Sequence, residues 1–181
     1  MKRAVVLVAL AAGMIWPAAS ATAQANTYGG VASCGPCHKM ASSGNQLAAW
    51  EKTKHAQAYV ALTTPEAAEV AKKKGITTAP AETAECLGCH TSTGTATPDS
   101  KFNAKDGVQC ETCHGAGSAY RPMSVMKDHA KSIAAGMTEM KDKAVAEAKC
   151  RTCHNEKSPT MKAFNYDEMW PKIAHPKTKA P

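Results

Sequence analysis

The apolar positions of this chain follow more than one rhythm. The first is an unbroken run from Ala4 to Trp16, preceded by Met1-Lys2-Arg3 and followed by Pro17 and the small residues Ala21-Thr22-Ala23. Positive, apolar and small residues in that order predict a secretory signal over residues 1–23, cleaved after Ala23, with residues 24–181 as one mature domain. The run holds 13 residues, whereas a membrane-spanning helix needs about 20, so a retained anchor is the weaker reading. No cysteine stands at the cleavage region to carry a lipid, and no later segment is long and apolar enough to span a membrane.

The second rhythm has the period of a helix, about 3.6 residues. Leu47, Glu51, Lys54, His55, Ala58 and Leu62 share one side at that spacing, which predicts a helix from Ser42-Ser43 to Leu62. Thr64-Pro65-Glu66 reads as N-cap, N1 proline and first-turn acid of a second helix that ends near Lys74, with Gly75 as its stop. Met126, His129, Ile133, Met137 and Met140 form a further stripe at helical spacing, read as one continuous helix. Ala144 to Lys149 is a short helix, and Asp167 to Ile173 a last one distorted by Pro171. Gly94 to Gly107 reads as loop. Gly115-Ala116-Gly117 favours a turn. No segment alternates long enough to read as a strand. The expected fold is therefore mainly α, with short helices and loops and little or no β-sheet.

Composition makes that reading incomplete. Phenylalanine occurs only at Phe102 and Phe164, and beyond the leader tryptophan remains only at Trp50 and Trp170. An exported domain so poor in large apolar side chains needs an added core: disulfides, a metal or a cofactor. The formal charge is +7, and Lys2 and Arg3 leave with the signal. Lys72-Lys73-Lys74 is a solvated helix face before it is a docking patch. A nucleic-acid binder needs a clustered basic face with base-reading or stacking groups, and the chain offers none.

The cysteines supply the missing core. All eight fall in four pairs of one spacing, each followed by histidine: Cys34-Gly-Pro-Cys37-His38, Cys86-Leu-Gly-Cys89-His90, Cys110-Glu-Thr-Cys113-His114 and Cys150-Arg-Thr-Cys153-His154. This is the attachment signature of haem c. Two thiols one helical turn apart add to the two vinyl groups on one porphyrin edge, and the next imidazole becomes the proximal iron ligand. Zinc sites do not require a histidine after every pair, and vicinal cysteines make a poor disulfide framework. Four covalent haem c groups are expected, and the turn at Gly115-Ala116-Gly117, directly after the third motif, is read as backbone approaching a porphyrin closely. The eight propionates of the haems, set against four ferric centres, bring the mature chain close to electrical neutrality.

Three histidines remain for the second axial positions: His55, His129 and His175. Three side chains serve only three of four irons. The fourth then takes methionine, water, a ligand from another subunit, or nothing.

At these residues the chain resembles the tetrahaem cytochrome c-554 family. The likeness is carried by Cys34-Gly-Pro-Cys37-His38-Lys39, by Trp50 with Thr53-Lys54-His55-Ala56, by the segment from Gly107 to Gly117 around the third motif, and by Asp128-His129 and Tyr166-Asp167-Glu168-Met169. It implies closely packed haem pairs in a helical fold. It also implies that His55 completes the third haem (proximal His114), His129 the fourth (His154) and His175 the first (His38), leaving the second (His90) five-coordinate. The family accepts electrons from a hydroxylamine-oxidising enzyme in ammonia oxidisers. The resulting expectation is a periplasmic electron carrier and not an enzyme. Its partners would be redox proteins, with no nucleic acid and no stable membrane insertion, and it would work as a monomer or small oligomer. Two alternatives stand beside it: reduction of a small nitrogen oxide at an open second haem, and a subunit of a polymeric cytochrome wire.

Overall fold

The computed structural model describes residues 25–92 and 97–175. The expected signal segment lies outside these residues. Among them the chain is helical, and the extended pairing is an isolated parallel bridge between Tyr28 and Pro98. The mainly α expectation holds. Ten short helices follow in order: α1 Val31–His38, α2 Gln46–Glu51, α3 Ala58–Ala61, α4 Pro65–Lys73, α5 Ala84–His90, α6 Cys110–His114, α7 Met123–Met126, α8 His129–Ala134, α9 Lys143–Arg151 and α10 Tyr166–Met169.

Where local chemistry sets the boundary, the helices stand as read. The Thr64 hydroxyl accepts from the Ala67 amide at 3.3 Å, Pro65 opens α4, and Gly75 closes it at φ 76°. The Ile76 amide then reaches back to the Ala71 carbonyl at 2.9 Å, satisfying one of the orphan carbonyls at the helix end. Asp142 caps α9 by accepting from the amides of Ala144 and Val145. The last helix gives way to a 3-10 turn, Trp170–Lys172, at Pro171 as expected.

Two long helices do not form. The stretch expected from Ser42-Ser43 to Leu62 is a 3-10 turn Ala41–Ser43, then α2, then a turn, then α3. Gly44 and Asn45 both have positive φ, which stops any helix before Gln46. After α2 the Trp50 carbonyl is taken by the Thr53 hydroxyl at 2.7 Å, and the His55 carbonyl accepts the distant Val108 amide at 2.9 Å. The stripe from Met126 to Met140 is also broken. Asp128 leaves helical geometry, accepts from the Lys131 amide at 3.1 Å and starts α8 afresh. Gly136 at φ 99° ends it, so Met137 and Met140 lie beyond any helix.

The side-chain core is as thin as the composition implied. Its buried apolar members are Leu62, Ala71, Val108, Tyr120, Ala146 and Tyr166. Polar threads do much of the joining. The Trp50 indole donates to the Val108 carbonyl at 2.8 Å, and the Tyr120 hydroxyl donates to the Gly115 carbonyl at 2.6 Å. Among the described residues no helix is long and apolar enough to cross a membrane.

Candidate functional site

Each Cys-x-x-Cys-His motif is built on a helix. The first three occupy α1, α5 and α6 and end on their histidine. The fourth begins at Cys150 in α9 and finishes in the turn beyond it, where the His154 amide bonds the Cys150 carbonyl at 2.9 Å. A helical turn brings both thiols and the imidazole to one side, as attachment to a porphyrin edge requires. All eight thiols are unbridged. Among the described residues no three His, Cys, Asp or Glu side chains converge as a metal-ion site.

The histidines fit iron ligation. A ligating imidazole usually donates its other ring N–H to an oxygen, which fixes the tautomer and frees one nitrogen for the metal. His90 Nδ1 lies 2.8 Å from the Ala58 carbonyl, and His38 Nδ1 lies 3.1 Å from Gln46 Oε1. With Nδ1 donating, Nε2 is left for iron in both. Ligation also needs a deprotonated ring nitrogen. Burial, with His175 and His38 nearby, pushes His114 down to about 4. Burial and the neighbouring His154 lower His55, and burial lowers His154. These three imidazoles are therefore neutral at ordinary pH.

Two pairs of imidazoles stand at the spacing that a shared iron demands. His55 and His154 have ring centroids 6.1 Å apart, and His114 and His175 5.9 Å. Metal–imidazole bonds of about 2 Å on each side, plus the depth of each ring, give centroids about 6 Å apart. This geometry differs from the pairing that the resemblance implies. The backbone of His55 is tied to Val108, two residues before motif three, but its ring faces His154 of motif four. His175 stands beside His114, and His38 lies within electrostatic reach of that same ring. His129, the first residue of α8, points Nε2 at Glu139 Oε2, 2.6 Å away. Among the described residues His90 has no imidazole in ring contact.

The motifs themselves touch. The Cys34 thiol lies near Cys110, Cys89 near Cys153, and Cys113 near Cys150, each close enough to shift its neighbour's ionisation. Motif three is also tied directly to the other three: Glu111 accepts from the amides before α1, Thr112 Oγ1 lies 2.5 Å from Ser92 Oγ just beyond motif two, and α6 packs on α9. Burial, with Cys150 next in effect, pushes the Cys113 thiol up to about 11. Phe164 stacks on His154 with centroids 4.8 Å apart, and the Arg151 guanidinium lies 5.4 Å over the Phe164 ring.

The structure also brings in residues that the sequence reading did not single out. Gln109 and Glu111, each 2% exposed, flank Cys110 and bind the amides at the start of α1. The one signal for Glu111 was a charge inside a motif whose cysteines are themselves half-buried. Gly117 lies against this carboxylate: a Cβ there would stand 2.7 Å from Glu111 Oε1.

Comparison with known proteins agrees with the motifs. The profile of the family described as "Cytochrome c554 and c-prime" matches residues 33–115, which holds the first three motifs. Cytochrome c-554 of Nitrosomonas europaea is 30% identical over 133 residues, covering 67% of this chain and 54% of the relative. The chain thus spans about half the length of the curated relative it matches. No solved structure matches.

Proposed function

The chain belongs to the cytochrome c-554 family, and on that premise we propose that it carries four covalent haem c groups and passes electrons between redox proteins in the periplasm. Bound haem supplies reversible one-electron iron chemistry at each site. The chain's own part is attachment, axial ligation, spacing and the dielectric around each site. Cys34, Cys37, Cys86, Cys89, Cys110, Cys113, Cys150 and Cys153 would hold the porphyrins. His38, His90, His114 and His154 would be the proximal ligands, and His55, His129 and His175 the distal ones.

The observation that carries this reading is the contact between attachment motifs. A protein that needed one reactive haem would have no use for four attachment sites joined to one another, motif three to one through Glu111, to two through Thr112 and Ser92, and to four where α6 packs on α9. Denaturing mass spectrometry of protein matured in a periplasm should give the polypeptide from residue 24 plus four haem masses. Three or fewer would overturn the count, and a retained leader would overturn the export reading.

A second reading rests on His90. Its ring has the Ala58 carbonyl on one nitrogen and no second imidazole nearby among the described residues. That supports an open position at motif two, where a small nitrogen oxide could bind and be reduced. A ferric spectrum with one high-spin and three low-spin haems, the high-spin one binding nitric oxide, favours this reading. Four low-spin haems in dilute monomer remove it.

A further inference from the structure

Motif three has a carboxylate where the other motifs have none. The residue after the first cysteine is Gly35, Leu87, Glu111 and Arg151 in the four motifs. Arg151 reaches the surface and pairs with Glu147. Glu111 is buried at 2% exposure. Its Oε1 accepts from the amides of Gly29 at 3.1 Å and Gly117 at 2.7 Å, and its Oε2 from the Gly30 amide at 2.7 Å. Among the described residues no lysine or arginine forms an ion pair with it; the nearby Arg121 turns to Asp99 instead.

Three backbone amides make a suitable cradle for an ionised carboxylate, because every one donates and a carboxylate only accepts. Two of the three donors precede α1, and Gln109 Oε1 takes a third from that helix start, the Val31 amide, at 2.7 Å. Helix α1 has no side-chain cap of its own. Motif three therefore caps the helix of motif one from 81 and 82 residues away in sequence. The negative charge is also felt around it: after burial, Glu111 is the next cause of the raised Tyr28 and Tyr120 phenols.

We propose that Glu111 is a positioning residue with an electrostatic function: it locks motif one against motif three and, as a fixed buried negative charge, holds the reduction potential of the haem at His114 down. The proposal rests on haem attachment at motif three. A nearby negative charge stabilises the ferric state over the ferrous one, and a low-dielectric setting strengthens the effect. Electrons would then leave the motif-three site readily for its neighbours.

The test is redox titration of the holoprotein carrying Glu111→Gln, followed by optical and paramagnetic resonance spectra. One component should shift to easier reduction on the order of tenfold, about 59 mV for one electron. The low-spin signals should persist, showing that ligation is intact. Glu111→Asp keeps the charge and should move the same component less. Gln109→Ala loosens the cradle without touching the charge, and should leave the potential near wild type. Unchanged potentials in Glu111→Gln overturn the proposal, as does an equal shift in Gln109→Ala. If Glu111→Gln yields no mature protein, assigned magnetic resonance of the wild type decides. The His114 haem must then be harder to reduce than the His154 haem, which also has a second imidazole beside it and carries Arg151 in that place, and the reverse order overturns the proposal. Failure of four-haem attachment in the wild type would instead sink the functional reading beneath it.

Discussion

Motif three and motif two have the same five-residue grammar and opposite surroundings. His114 is half-buried, stands 5.9 Å from His175 and is close to His38. Its helix holds the buried Glu111, and its lead-in holds Val108 and Gln109. The helix of motif two has no buried residue, and among the described residues its histidine hydrogen-bonds the Ala58 carbonyl. The two are stitched together just beyond His90, where Ser92 Oγ accepts from the Gln109 amide at 2.7 Å and lies 2.5 Å from Thr112 Oγ1. Motif three is thus the hub on which the chain is hung, and motif two is a spoke. The shared signature specifies attachment, and the surroundings specify what each site can do.

The largest way to break this contrast is to remove attachment at each site in turn. Cys110→Ala with Cys113→Ala should leave almost no mature folded protein. The haem at the hub replaces core burial that the side chains do not supply, and a domain has only about 5–15 kcal/mol of net stability to lose. Cys86→Ala with Cys89→Ala should give a soluble three-haem protein of lower Tm. Yield and haem mass after periplasmic expression read both outcomes. Equal collapse in the two would end the hub-and-spoke view.

A sharper cut comes from the distal imidazoles. His175→Ala should turn one low-spin haem high-spin, and His55→Ala another. The geometry places the first at His114 and the second at His154. Digestion and spectroscopy of single-haem peptides do not read ligation, so the assignment needs assigned magnetic resonance of the intact variants. The motif-two haem should bind carbon monoxide when ferrous in wild type and in both variants. A low-spin, carbon monoxide-inert haem at His90 would make the two motifs alike in ligation.

Gln109→Ala comes next in size. Its side chain accepts from the Val31 amide, 78 residues away in sequence, and donates to the Asn103 carbonyl at 2.8 Å, six residues back. Truncation leaves two part-buried partners without a mate, at about 1–3 kcal/mol. In a chain of this size each kcal/mol moves Tm by about 2–4 °C. Thermal melts of holoprotein check the drop, and a change under 1 °C would show that the clamp on α1 holds without Gln109.

Local features were legible in the sequence, and long-range ones were not. Thr64, Pro65 and Gly75 bound α4 by contacts within a few residues, so their chemistry could be read from the string alone. The four motifs were legible for the same reason, since one helical turn contains all three functional side chains. The two long helices failed because spacing does not show where a backbone turns: the turn after Glu51, where Thr53 takes the Trp50 carbonyl, and the cap at Asp128 interrupt stripes whose positions still fall at helical intervals. The partners of His55, His129 and His175 depend on which loops meet. So does the cradle of Glu111, whose donors at Gly29 and Gly30 are 82 and 81 residues distant. The thin core was visible in composition, but not that buried polar groups such as Gln109, Glu111 and Ser132 would fill so much of it.

The smallest predicted effect tests whether the motif-two side is energetically quiet. Helix α4 packs on the 3-10 turn Pro80–Glu82, which packs in turn on α5, so α4 belongs to the spoke. Its N-cap is a single bond, Thr64 Oγ1 accepting from the Ala67 amide at 3.3 Å. Thr64→Ala removes that acceptor and should cost about 1 kcal/mol, the usual value for losing a cap. Pro65 still presets the first helical turn, and the freed amide lies near solvent, so the loss should not exceed that. Tm should fall by about 2–4 °C. Because the change is uncharged and no attachment or ligand residue touches Thr64, the spin states and all redox components should stay as in wild type. A melt shifted as far as that of Gln109→Ala would mean that the spoke carries as much of the fold as the hub. A shifted redox component would mean that α4 governs the environment of the His90 haem.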